Sequence, residues 1–103
     1  MKHTGRLDIR TDVRFPINKV VIHPNDGYDL GLMNREYDVD LYFNAPLEAI
    51  KSNSGKPLNG TIHLENECKL GTLEISKKLW EQIENPKKAV LVYTPEKLII
   101  YGR

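Results

Sequence analysis

The chain has 103 residues, 40% hydrophobic and 28% charged, with a formal net charge of +1. That is the size of one folding unit and the composition of an ordinary globular domain, which argues against a disordered or membrane class. A charge so close to zero also gives the molecule as a whole no strong pull toward nucleic acid.

The first ten residues carry Lys2, Arg6 and Arg10 without an apolar run, so they offer neither a signal peptide nor a membrane anchor. The expected location is the cytoplasm. From residue 6 to 15 polar and apolar residues alternate, with Leu7, Ile9, Val13 and Phe15 on one parity, as in a half-buried strand that Pro16 ends. Val20, Val21 and Ile22 form a short apolar run before Pro24, Asn25, Asp26 and Gly27, a concentrated turn signal. With Leu30 and Leu32 resuming the alternation, residues 19–32 read as a hairpin.

Tyr37, Val39, Leu41 and Phe43 then alternate with Glu36, Asp38 and Asp40, the cleanest strand signal in the chain. Asn44 reads as the cap of a short helix through Ile50, and residues 51–60, rich in Ser, Asn, Gly and Pro, read as an exposed loop. Residues 61–65 and 69–75 read as two more strands, and Cys68 is expected to be a half-buried strand residue. As the sole cysteine it cannot form an internal disulfide, in keeping with a reducing compartment. Ser76 caps a helix over 77–84 with Leu79, Trp80 and Ile83 at helical spacing, Trp80 being a core anchor. Residues 89–93 and 98–101 form a closing hairpin, with Pro95 suited to the first corner of a type I turn.

A repeat emerges from these elements. Gly5, Leu7, Asp8 and Ile9 match Gly71, Leu73, Glu74 and Ile75 in type; Val13 and Ile17 then fall opposite Leu79 and Ile83, and Val20 to Ile22 opposite Val90 to Val92. Such self-similarity implies two copies of one unit burying their apolar faces together. The expected architecture is a single mainly β domain with one or two short helices, a barrel-like α+β fold. It would have a duplicated strand, helix and hairpin unit, with halves 1–33 and 67–103 around an insert 34–66.

The second copy, with Gly71, Thr72, Leu73, Glu74 and Ile75 leading into a short helix and a hairpin from Val90 to Tyr101, resembles the swapped-hairpin DNA-binding domains of the AbrB, MraZ and MazE type. The likeness covers about a third of the chain, and double-psi barrels share a similar unit. MraZ-type proteins carry the unit twice. The resemblance implies a cytoplasmic transcriptional regulator, a homodimer or larger oligomer, that binds duplex DNA through basic strand faces. Its contacts would come from Arg6, Arg10 and Arg14 in the first copy and Lys69, Lys77 and Lys78 in the second. Arg suits base edges, and Lys neutralises phosphates.

A second reading is a small protein-interaction module, an inhibitor or accessory factor. Charge is distributed unevenly: five basic against two acidic residues in 1–19, one against six in 20–50, nine against six in 51–103. That order suits self-association or an oriented partner. Glu36, Asp38 and Asp40, with Tyr28 at a turn, or the loop 51–60, would face a partner with a basic surface. The acidic trio invites Mg or Ca, but acids opposite an apolar face are what a half-exposed strand ordinarily shows. His3, His23, His63 and Cys68 have no zinc spacing, and Gly55-Lys56 lacks the upstream glycine of a phosphate loop. No cofactor, metal or catalytic activity is expected.

Overall fold

The computed structural model describes residues 1–52 and 56–103. In chain order the elements are β1 (Lys2–His3), β2 (Leu7–Asp12), β3 (Lys19–Ile22), α1 (Pro24–Asp29), β4 (Glu36–Phe43), α2 (Leu47–Lys51), β5 (Leu58–Leu64), β6 (Thr72–Ser76), α3 (Lys77–Gln82), β7 (Lys88–Thr94) and β8 (Lys97–Gly102). The strands run β7-β2-β6-β3-β5-β4-β8, and β8 pairs back onto β7, so seven strands close a barrel within one chain. This is the mainly β, barrel-like α+β fold expected, with three short helices among the described residues. β1 extends along the edge of β7 beside β2. At the break between β1 and β2, buried Thr4 maintains the ladder: its Oγ1 accepts the Leu91 N–H at 3.1 Å.

The alternation read from the sequence decides which side chains fill the barrel. Leu7, Val20, Ile22, Leu41, Ile62, Leu73, Ile75, Leu91, Leu98 and Ile100 are buried inside it, and Trp80 packs on the same core while its Nε1 donates to the Pro86 carbonyl at 2.8 Å. Gly60 is required at a close approach: a Cβ there would stand 2.6 Å from both the Asn18 carbonyl oxygen and Leu41 Cδ1.

Residues 19–32 are not a hairpin. His23 Nδ1 accepts the Asn25 N–H at 3.0 Å and Pro24 opens α1, where a missing amide costs nothing. The helix ends at Gly31, φ 77°, with Leu32 N–H on the Gly27 carbonyl and Gly31 N–H on the Tyr28 carbonyl, each at 2.9 Å. The dense turn signal is therefore a helix start followed by a helix stop. α3 repeats that plan. Ser76 Oγ accepts the Leu79 N–H, and the chain leaves through Glu84, φ 70°, with Asn85 N–H on the Trp80 carbonyl and Glu84 N–H on the Glu81 carbonyl.

The duplication is present but pairs different segments from those expected. Asp8 faces Thr72 in one parallel ladder and Thr61 faces Lys19 in the other, so counterparts stand 53 positions apart (8 and 61, 19 and 72). Between β3 and β6 the pairs Val20 with Ile75 and Leu73 with Ile22 exchange under the same operation. Hence β2, β3, α1 and β4 correspond to β5, β6, α3 and β7. Residues 34–66 are no insert, since they supply β4 and β5. β2 and β6, which the sequence match sets in parallel, are neighbours in the barrel and do not exchange under this operation.

Other boundaries move for local reasons. β2 stops at Asp12, whose carboxylate accepts the Arg14 backbone N–H at 2.8 Å and turns the chain, leaving Val13 78% exposed; residues 13–18 form no helix. Asn44 does not cap α2, which starts after Pro46; it sits at φ 50° and its Oδ1 accepts the Gly102 N–H, tying the chain to β8. β5 starts at Leu58, inside the expected loop, and residues 53–55 of that loop lie outside the described residues. Glu96 has φ 70° at the second corner of the β7–β8 turn, which belongs to a type II rather than a type I turn.

Candidate functional site

The six basic candidates for nucleic acid do not share a face. Lys69 precedes β6 and Lys77 follows it, so they stand at opposite ends of that strand. Arg10 is exposed on β2 between Asp8 and Asp12, beside Glu74 of the next strand. Asp8 holds Lys88 at 2.9 Å, and Asp12 holds Arg14 at 3.0 Å, which lowers the Asp12 carboxyl through its hydrogen bonds to Arg14. The outer face of β2 is therefore mixed in sign because its acids alternate with its arginines. Lys77 and Lys78 do line one cleft, with Val13, Phe15 and Ile17, but Glu81 lines it too and Arg14 does not. Arg6 lies elsewhere, at the break between β1 and β2.

Glu36 and Asp38 are exposed on β4, as its alternation requires, and Asp40 is half-buried. Glu36 meets the His63 ring at 3.3 Å. Asp38 and Asp40 line an open groove with Glu96, Asn18 and Asn59, a carboxylate that the sequence places far away being brought in by the β7–β8 turn. Tyr28 is 70% exposed on α1, not at a hairpin turn. Among the described residues no group of three or more His, Cys, Asp or Glu side chains is arranged to hold a metal ion. His23 is a helix cap. Cys68 is 2% exposed in the turn before β6, not in a strand, and burial with Glu74 nearby pushes its thiol up to about 12.

The most developed site is one that sequence reasoning missed. The outward residues of three adjacent strands form an apolar row, with Tyr42 of β4 in register with Ile99 of β8 and Ile99 with Val92 of β7; His3 of β1, in register with Val92, ends it. A second row places Tyr101 beside Val90. At one end α2 lies across the row, and Ile50, 1% exposed, forms a small second core with Tyr42 and Ile99. At the other end Val90, Val92 and Tyr101 floor an open groove of about 600 Å³, with Met1 and Leu47 on its walls and Arg6 and Arg103 at its margin.

The Tyr101 hydroxyl donates to the Ala45 carbonyl at 2.6 Å, fixing the ring between covered and open ends. Its phenol is raised by burial and then by Glu48, with Arg103 opposing. The available signal was the strand composition. Residues 89–93 and 98–101 are apolar at nearly every position, the pattern of strands buried on both faces, whereas a strand with one solvated face alternates. No protein-family model, curated protein or solved structure matches this chain. No described helix is long and apolar enough to cross a membrane.

Proposed function

We propose that this chain is a small protein-interaction module whose partner seats on the outer face of the β7–β8 hairpin. The observation that carries this is the apolar row from Tyr42 to Val92, covered by α2 for half its length and open for the rest. A rigid sheet face with a ready-made apolar floor suits recognition, because little order has to be imposed when a partner arrives. The acidic groove at Asp38, Asp40 and Glu96 is polar and open, a rim feature rather than an anchor.

Anilinonaphthalene sulfonate, an apolar anion, tests the proposal. Saturable fluorescence enhancement is expected for the native chain, with loss in Val92→Asp and retention in Val13→Asp, which alters the cleft at the far end. Thermal melts establish that both variants are folded. Equal dye binding by folded Val92→Asp would remove the seat.

A second reading follows from Lys77 and Lys78 lining the cleft with Phe15: a nucleic-acid contact of the kind the DNA-binding resemblance implies, confined to that end of the barrel. Its signature is gel-shift affinity that falls steeply with salt and weakens in Lys77→Ala/Lys78→Ala. Absence of binding at low salt rejects it.

A further inference from the structure

Resting on the reading of the groove as a partner seat, we infer that its occupant is a short amphipathic helix carrying carboxylates beside its aliphatic face, a stand-in for the helix that the second half of the barrel lacks. The duplication supplies the shape. Gly60 faces Val39 as Leu7 faces Ala89, which makes Tyr42 the counterpart of Val92, 50 positions apart (39 and 89, 42 and 92). After β4 the chain inserts α2 and lays Ile50 over Tyr42. After β7 it turns back at once through Pro95 and Glu96, with Thr94 paired to Lys97, and among the described residues no helix follows to lie over Val92, which stays half-buried at the edge of the cluster under α2. The open groove is thus the position that α2 occupies in the other half, and a face built to take one amphipathic helix presents the same apolar strand surface to a second.

Charge supplies the chemistry. No acidic side chain lines the groove, and among the described residues neither Arg6 nor Arg103 has an ion-pair partner. The two bracket β7 from its neighbouring strands. Arg103 shares the outward parity of Tyr101 and is held by a 2.7 Å bond from its N–H to the Lys88 carbonyl, while Arg6 precedes Leu7, the partner of Ala89. Arg6 falls opposite Val90 and Arg103 opposite Lys88, so their backbones stand two strand spacings apart across β7 and two residues apart along it, about 12 Å in all. Guanidinium forks over an apolar floor pair best with carboxylates, and that pairing gains strength as the floor is dried. An aliphatic helix with Asp or Glu along its flanks fits both features; a basic or uncharged one leaves two cations unmatched.

A random peptide library displayed on phage, selected on the full chain and counter-selected on folded Val92→Asp, tests this. The expected enrichment is Leu and Ile at helical spacing with Asp or Glu beside them. Synthetic copies should bind about tenfold more weakly when their acids are changed to Gln, and by a similar factor to Arg6→Ala or Arg103→Ala. Enriched aliphatic peptides without acids, or Gln copies that bind equally well, would overturn the inference while leaving the seat in place. A medium-chain carboxylate that displaces the dye as well as any peptide overturns it in favour of an amphiphile. Dimerisation of the native chain, absent in Val92→Asp, overturns it in favour of a second copy. No enrichment over Val92→Asp would overturn the seat and the inference together.

Discussion

The two ends of the outward apolar row lie on corresponding strands of the repeated unit and share residue types, yet one is a core and the other is a surface. Ile50 of α2 is 1% exposed over Tyr42 and Ile99, whereas Val92, one strand across from Ile99, and Tyr101, further along β8, are only half-buried. The difference lies in the connection that follows each strand, residues 44–57 after β4 and a two-residue turn after β7. Apolar residues facing outward from a barrel are thus not all accounted for by the chain's own fold. Where a connecting helix is missing, the same pattern is left for something else to cover.

Variants can break or sharpen that contrast. The largest effect is expected at the covered end: Ile50→Ala should lower the unfolding free energy by about 2 to 4 kcal/mol in urea melts, because it opens a cavity in a sealed site. Between the two halves, the helix exits share a first left-handed position, Gly31 after α1 and Glu84 after α3, while Asn85 adds a second at φ 54°. Glu84→Gly should raise stability by about 1 kcal/mol, and Gly31→Ala should lower it by a similar amount, both read from thermal melts. At the open end Val92→Ala should cost less than about 1 kcal/mol, since the side chain is already partly in water, while dye binding falls markedly.

The last effect is confined to alkaline pH. Cys68 keeps its proton up to about pH 12 when folded, against an ordinary value of 9.0, so between those limits the unfolded chain holds fewer protons. Stability should fall as pH rises through that window, and a Cys68→Ala variant should lose that slope.

Much of the barrel was legible. β4, β7 and β8 follow from alternation and apolar runs, and Ser76 announced α3 because a serine oxygen is the ordinary cap. α1 was missed because its cap is a histidine ring and because Pro24, Asn25 and Gly27 are residues that turns also use. Only Gly31, seven residues after Pro24, distinguishes a helix that starts and stops from a hairpin corner. The duplication was found in the wrong register for a related reason: with α1 unread, the helix had to be sought near Val13 and Ile17, where the Asp12 turn leaves Val13 in solvent.

The candidate site was less legible than the fold. Arg6 was singled out as a nucleic-acid contact, but only the closed barrel, where β2 pairs with β7, brings it beside the hairpin that carries Val92, Tyr101 and Arg103. Charge alone could not separate Arg6 from Arg10, because what distinguishes them is the company each side chain keeps after folding.

The uncovered half of the hairpin is, in this proposal, a place where something binds. Amide-resolved NMR during titration with anilinonaphthalene sulfonate addresses this directly. Saturable shifts centred on Val90, Val92, Tyr101 and Arg103, with little change at Phe15, Lys77 and Lys78, are the predicted result. Shifts concentrated at that other end of the barrel, or scattered and never saturating, would contradict it.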